Sequence, residues 1–380
     1  MRKIYTALGL MTGTSMDGVD LSIIRSDGFK EFTTIFDDYH KFDPNLQKNI
    51  IDLRDQIFTF DDLKKLSKKL SILERELTLF QCEIINKISK EYLDKIDLIG
   101  FHGQTILHDP NRKISKQLGD GKLFSQFLKK IVVNNFREND LKNGGQGAPL
   151  TPIFHDLIFK KINEKFKISY PINVINIGGI TNITQIQKNE FSKKIELYAS
   201  DIGPGNCLID EWVRNNSNKK FDENNIIAKS GVVNDLIYNQ AIDNFSNTSY
   251  KNSLDIKDFD SSFARGLSLE DGCITLTKFS ANLISQGIKY FNNLNKNFPS
   301  INFICGGGRK NEILISFLKD NFEKNIKFEN IDDYGFNGDF IESQTFAYLA
   351  IRSYLNLPIS FPNTTGCKVP TVGGTINKNF

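Results

Sequence analysis

Cysteine is scarce and poorly spaced for any framework: Cys82, Cys207, Cys273, Cys305 and Cys367 are odd in number, far apart and without a C-x-x-C pair. That excludes a disulfide-stapled scaffold and a structural zinc, and it suits a reducing compartment. Histidine is scarcer still, and four residues leave little room for a His-rich metal site. The chain lacks the run of about 18 apolar residues that a spanning helix needs. An excess of one charge is missing too. The 48 Lys+Arg and 45 Asp+Glu leave +3 over 380 residues, which gives no case for nucleic acid or an anionic membrane surface. Two nucleotide-binding spellings are absent, G-x-x-x-x-G-K-[ST] and a strand-to-helix G-x-G-x-x-G, so P-loop and Rossmann expectations fall away.

What is present is an ordinary globular mixture, 39% hydrophobic and 24% charged. A chain of this length buries about three-quarters of its unfolded surface and is expected to form two domains. The start, MRKIYTALGLM, imitates a secretory signal, with two positive charges and a short apolar stretch. Asp17 and Asp20 follow at once, so a cytoplasmic protein is the expectation. The abundance of Asn, Lys and Ile reads as nucleotide-composition bias rather than as a functional signal.

The chain opens with strand-like runs at Lys3–Met11 and Val19–Arg25, joined by a Gly/Thr/Ser/Asp turn, and a third at Glu31–Phe36. Leu63, Leu66, Leu70, Leu73, Leu77, Phe80 and Ile84 recur three and four apart. This predicts one long helix packed on a sheet, with Asp61 or Asp62 as N-cap; about three heptads are too few to favour a coiled coil. A buried strand, Ile96–Gly100, then leads into Phe101-His102-Gly103-Gln104-Thr105. The second half repeats the opening: Pro171–Ile177, a Gly178-Gly179 turn, Ile180–Gln187, then Lys194–Ser200 ending at Asp201. Helices are predicted near Cys207–Arg214, Leu269–Asn293 and Phe340–Tyr354, and a strand at Ile301–Cys305 runs into Gly306-Gly307-Gly308. The duplication predicts an α/β protein of two domains around a cleft, 1–131 and 132–354, with 355–380 returning to the first and a hinge near Val132–Asn135.

Turns of Gly, Thr and Ser offer backbone N–H groups and hydroxyls to an anion. One such hairpin is weak evidence, but two on matching scaffolds suggest a triphosphate clamp. Asp201 either caps the next helix or faces a ligand from its strand end. Asp17-Gly18 serves as a plain hairpin signal or as part of a phosphate turn. His108 and His155 match no metal-ligand spacing and are expected to be structural.

Six blocks carry a resemblance: Gly9-Leu10-Met11-Thr12-Gly13-Thr14-Ser15-Met16-Asp17-Gly18-Val19-Asp20, Gly100–Thr105, Gly144-Gly145-Gln146-Gly147-Ala148-Pro149-Leu150, Asn176–Asn182, Asp201-Ile202-Gly203-Pro204-Gly205-Asn206 and Cys305–Gly308. In this order they resemble the anhydro-N-acetylmuramic acid kinases. The resemblance implies a two-domain fold like actin, hexokinase and the Hsp70 ATPase, with duplicated β-hairpin-containing domains. It implies ATP and Mg²⁺ as cofactors, a homodimer and a role in cell-wall recycling. The reaction implied is hydrolytic opening of 1,6-anhydro-N-acetylmuramic acid with phosphorylation of O6. Asp201 would be the base for water. Gly13, Thr14, Ser15, Met16, Asp17, Gly18, Val19 and Asp20 would form the ATP turn, with Asp17 on Mg²⁺. Gly178 and Gly179 would form the second turn, and Gly306, Gly307 and Gly308 would lie near the nucleoside. His102, Gln104, Arg137, Asp140 and Glu342 would contact the sugar. Arg137 beside Asp140 is equally a structural ion pair by its residues alone, and Glu342 a solvated first-turn acid. The competing expectations are a kinase of another small sugar or polyol and a non-catalytic ATP-dependent switch on the same fold. The chain departs from the family at Asn135, usually acidic, at Ile202, usually Thr, and at Ser343, Gln344 and Thr345, usually smaller and apolar.

Overall fold

The computed structural model describes residues 2–245, 254 and 256–380. The chain divides into two units, Met1–Lys161 with Phe340–Phe380, and Ile162–Asp339.

In the first unit, β1 (Tyr5–Met11), β2 (Gly18–Ser26) and β3 (Phe32–Lys41) form an antiparallel meander in which Gly9 faces Ser22 and Leu21 faces Asp38. β4 (Leu98–Phe101) runs parallel to β1. A separate hairpin, β5 (Gln104–Asp109) and β6 (Ile114–Leu118), follows it. β7 (Ile131–Asn134) pairs parallel to β4, and the final strand Thr375–Asn377 pairs antiparallel to β7. Across the sheet the order is Thr375–Asn377, β7, β4, β1, β2, β3.

β1 is covered on both faces, which is why it reads as a continuous apolar run. Leu8 and Leu10 join a core with Ile50 and Leu53 of the helix Pro44–Arg54 and Leu70, Leu73 and Leu77 of the helix Ser67–Asn86. Gly9 faces the helix Ile341–Tyr354, where a Cβ would stand 2.0 Å from the Ser343 carbonyl oxygen. A Cβ on Gly100 in β4 would stand 2.1 Å from the Phe346 oxygen of the same helix. The leucine repeat is not one helix. It breaks at Leu66 into Phe60–Lys65 and Ser67–Asn86. The N-cap is Thr59, with Asp62 at the third position accepting the Thr59 N–H at 2.9 Å. Reciprocal capping makes Asp62 the partner of the cap rather than the cap itself.

In the second unit, β8 (Ile172–Ile177), β9 (Ile180–Lys188) and β10 (Ile195–Pro204) form the antiparallel meander. β11 (Ile301–Cys305) pairs parallel to β8, and β12 (Lys327–Asn330) parallel to β11, giving the order β10, β9, β8, β11, β12. The helix Leu269–Asn295 lies on this sheet, N-capped by the Ser268 hydroxyl, which accepts the Asp271 N–H at 3.0 Å. A Cβ on its Gly287 would stand 2.2 Å from the Ile202 carbonyl oxygen. The asparagines have structural work here. Asn173, Gln185, Asn292 and Asn302 bury their amides and bond to one another, with Asn173 Nδ2 donating to Asn302 Oδ1 at 2.9 Å and Gln185 Nε2 to Asn292 Oδ1 at 3.0 Å.

Both sheets therefore order their first five strands third, second, first, fourth, fifth, with the first three antiparallel and the next two parallel; the first sheet adds Thr375–Asn377, antiparallel, at its edge. This is the duplicated actin-like ATPase architecture. The division falls later in the chain than the sequence suggests, at 161/162 instead of 131/132, because β7 is hydrogen-bonded into the first sheet. The return to the first unit begins at Phe340, ahead of residue 355, because the helix Ile341–Tyr354 packs on Gly9 and Gly100. Among the described residues no helix is long and apolar enough to cross a membrane.

Candidate active site

The turn after β1 is held from beneath. The Thr12 hydroxyl donates to the Gly103 carbonyl at 2.8 Å, and Gln104 Nε2 donates to the Gly13 carbonyl at 3.2 Å. Met16, at φ 53°, buries its side chain in the core. Pinned on both sides, the turn exposes Thr14 and Ser15, with Gly13 and Asp17 half-buried, before Gly18, Val19 and Asp20 start β2. Gly18 is required by close approach, since a Cβ there would meet the His40 carbonyl oxygen at 2.4 Å. Ser15 donates to Asp17 Oδ1 at 2.5 Å, and the Tyr39 phenol lies against Asp17 and Asp20. Burial first, then those carboxylates, raise the Tyr39 pKa, so its hydroxyl stays protonated. Carboxylate and hydroxyl oxygens form a hard donor set suited to Mg²⁺. Among the described residues no group of three or more His, Cys, Asp or Glu forms a ready metal cage. A magnesium ion here would complete its shell from phosphate and water, its usual habit in phosphoryl transfer.

The predicted sugar residues divide into those that face outward and those that support them. Gln104 is buried under the turn that follows β1, its other amide contact being the Thr105 carbonyl at 3.3 Å. Asp140 is buried, with its carboxylate accepting the Gly147 N–H at 2.7 Å and the Thr365 hydroxyl at 2.6 Å. It shapes the Gly-Gly-Gln-Gly loop, and Gly145 must be glycine because a Cβ would stand 2.2 Å from that carboxylate. His102 is also buried and meets Arg137, whose Nη1 donates to the Gly147 carbonyl at 2.8 Å. Glu342, in the first turn of Ile341–Tyr354, is half-buried near Arg137. Burial pushes its carboxyl pKa up, and the guanidinium pulls the other way.

In the second unit the glycine turn and the Gly-Pro-Gly-Asn segment form one structure. Gly205 N–H donates to the Gly179 carbonyl at 2.8 Å, Asn206 N–H to Gly178 at 2.8 Å, and Cys207 N–H to Gly179 at 3.3 Å. Asp201 ends the regular part of β10, where a bulge between Asp201 and Gly203 breaks the register with β9. Its carboxylate is largely buried and Oδ2 accepts the Leu254 N–H at 2.9 Å. The following helix, Cys207–Asn216, has Asn206 at its cap position, so Asp201 is not its N-cap. The three glycines after β11 differ. Gly306, at φ 77°, and Gly308 pack against Ile177, whereas Gly307 has nothing within 4 Å of a built Cβ. Behind them the buried Arg309 joins Asp332 at 2.9 Å and Asp339 at 2.5 Å, and bonds the Gly306 carbonyl at 3.1 Å.

The chain matches the model of the family described as Anhydro-N-acetylmuramic acid kinase over residues 5–379. It belongs to that family. An anhydro-N-acetylmuramic acid kinase of Pelagibacter ubique (strain HTCC1062) is 52% identical, over 100% of both chains. Relatives of the same name from Zymomonas mobilis subsp. mobilis (strain ATCC 31821 / ZM4 / CP4) and Agrobacterium fabrum (strain C58 / ATCC 33970) are 36% and 34% identical, covering 98% and 99% of this chain and 99% of each relative. A solved gluconate kinase from Lactobacillus acidophilus is similar at a TM-score of 0.40 and 10% identity, over 93% of this chain and 90% of that one, too distant to bear on the site.

For an anhydro-N-acetylmuramic acid kinase family member, the departures have local explanations. Asn135 sits at φ 54°, a left-handed position that Asn tolerates better than most residues. Ile202 is wholly buried beside Gly287, so the change from Thr enlarges the core. Ser343 and Gln344 join a buried polar group: Ser343 Oγ lies 2.7 Å from Ser22 Oγ, and Gln344 Nε2 donates to the Asp37 carboxylate at 3.1 Å. Thr12, Tyr39, Thr365 and Arg309 join these contacts although the sequence does not mark them as candidates. The Thr12-Gly13-Thr14-Ser15 spelling was the one available signal for Thr12.

Proposed function

We propose that this chain uses ATP and water to open the 1,6-anhydro ring of 1,6-anhydro-N-acetylmuramic acid and phosphorylate O6, giving N-acetylmuramic acid 6-phosphate and ADP in peptidoglycan recycling. The observation that carries it is the family match from residue 5 to 379, with a relative 52% identical over the full length. Asp201 acts as base. It takes a proton from water as the water oxygen bonds to the anomeric carbon, the C1–O6 bond breaks, and O6 attacks the γ-phosphorus while the bond to ADP breaks. The Leu254 N–H holds one oxygen of that carboxylate in place.

Thr14, Ser15 and the Gly178-Gly179 turn bind the phosphates, and Gly307 gives the nucleotide close access to backbone. Asp17 is the ligand we assign to Mg²⁺, which when bound spreads the charge of the phosphate oxygens. Arg137 and Glu342 face the sugar, Arg137 pairing with its lactyl carboxylate, while His102, Gln104 and Asp140 hold the neighbouring groups. The same reading carries a cytoplasmic location and a homodimer. The test is ADP release with Mg-ATP and the anhydro sugar beside glucose and N-acetylglucosamine, for wild type and Asp201→Asn. Turnover with the anhydro sugar alone, lost in the variant, supports the proposal; turnover indifferent to the sugar overturns it.

A further inference from the structure

His102 was expected to hydrogen-bond the sugar, yet both of its ring nitrogens are engaged inside the protein. Arg137 approaches Nε2 with Nε at 3.2 Å and Nη2 at 3.0 Å. A guanidinium has donors only, so Nε2 must present a lone pair. The ring proton therefore sits on Nδ1, where the Gly103 carbonyl accepts it at 2.7 Å. That carbonyl also takes the Thr12 hydroxyl at 2.8 Å, so its two lone pairs are both used. The imidazole packs on the Phe346 ring at 4.4 Å between centroids, with the ring planes 39° apart, and Phe346 in turn packs on Phe136 at 5.3 Å. Beyond it, Arg137 Nη1 is held by the Gly147 carbonyl.

We propose that His102 is a positioning residue: as the Nδ1–H tautomer it grips one edge of the Arg137 guanidinium and sets its plane for the substrate carboxylate. The proposal rests on the reading of Arg137 as the carboxylate partner. A forked contact fixes a planar cation in a way that a single bond does not, and pre-set orientation is what a bidentate carboxylate contact requires. The Gly103 carbonyl ties the same unit to Thr12, so one hydrogen-bonded line runs from the phosphate turn through His102 to Arg137 and Gly147. Burial, then the charge of Arg137, keep the imidazole pKa well below its usual value against the pull of the Gly103 hydrogen bond, so the acceptor persists through neutral pH.

The experiment uses the full chain with Mg-ATP and 1,6-anhydro-N-acetylmuramic acid. His102→Phe keeps a flat ring on Phe346 and removes the acceptor. It should raise the KM for the sugar about tenfold, the scale of one lost charge-assisted hydrogen bond, with the KM for ATP unchanged. His102→Gln, whose carbonyl oxygen reaches the Nε2 position, should restore most of the loss. Nitrogen-15 spectra of the wild type should show Nδ1 protonated and Nε2 bare, which does not depend on any variant folding. A protonated Nε2 overturns the proposal, as does a His102→Phe enzyme whose two KM values move together or not at all. Arg137→Ala separates the two layers. If it raises the sugar KM and His102→Phe does not, the positioning role alone fails. If it leaves the sugar KM unchanged, the carboxylate reading of Arg137 fails and takes this proposal with it, even where the tautomer is as described.

Discussion

The two units bring a helix equally close to their sheets but remove the obstructing Cβ from opposite partners. In the first, the glycines are in the strands, and Gly9 and Gly100 lie under Ser343 and Phe346. In the second, the glycine is in the helix, and Gly287 lies over Ile202. Their leading turns differ as well. Thr12 to Asp17 offers hydroxyls and a carboxylate, whereas Gly178-Gly179 offers backbone whose carbonyls anchor residues 205–207. The repeated architecture thus demands closeness between helix and sheet but leaves open which side yields. Side-chain chemistry is then distributed separately on each copy.

The sharpest way to probe that division is to compare carboxylates. Asp201→Asn in the second unit should lower kcat about a thousandfold with little change in thermal stability, the range for loss of a general base. Asp17→Asn in the first should act mainly through the Mg²⁺ concentration needed for half-maximal rate. A matching kcat collapse in both would erase the distinction. Next in size, Gly9→Ala and Gly287→Ala should each destabilise their unit by about 2–3 kcal/mol in urea, because a Cβ meets backbone that cannot swing away. If one is tolerated, the symmetry of the packing argument breaks.

Gly308→Ala, with its built Cβ 2.2 Å from Ile177 Cγ2 and 2.8 Å from Ile177 Cβ, should cost a similar amount, about 2–3 kcal/mol, because those atoms belong to a fully buried β-branched residue that cannot swing clear. Gly307→Ala, facing open space, should change stability by less than about 0.5 kcal/mol yet weaken ATP binding, read by calorimetric titration. The smallest effect is expected at Asp37. Burial raises its pKa above the ordinary 3.8 despite hydrogen bonds from Ser22 and Gln344. The folded chain therefore holds that proton more tightly than the unfolded one. Its contribution to stability is full below the unfolded pKa and is lost as pH rises through the folded value. Asp37→Asn should flatten that part of the stability–pH curve, measured by denaturation midpoints between pH 3 and 7.

Much of the fold was legible because its signals are local. Apolar runs of strand length, turns rich in Gly, Thr and Ser, and a second occurrence of the same series point to two similar α/β units. The leucine series shows where locality stops. Its spacing suits one helix, but reciprocal bonds between Thr59 and Asp62 start a short first helix, and the break at Leu66 separates it from the second. Asp140 and His102 show the same limit at the site. Their residue types suit sugar hydroxyls, yet the atoms that would reach out are occupied within the protein.

By itself, then, the sequence determined the duplicated strand–turn–strand plan, the glycine turns and Asp201 at a strand end, since each follows from neighbours along the chain. Only the tertiary structure decided that Gln104 supports the turn after β1, that His102 accepts from Arg137 35 residues away, and that Ser343 meets Ser22 across 321. It also decided that Gly9 and Gly100 exist for a helix near the C-terminus. These are contacts between segments far apart in the chain. Their geometry is set by how sheets and helices stack, which no local pattern of residues encodes.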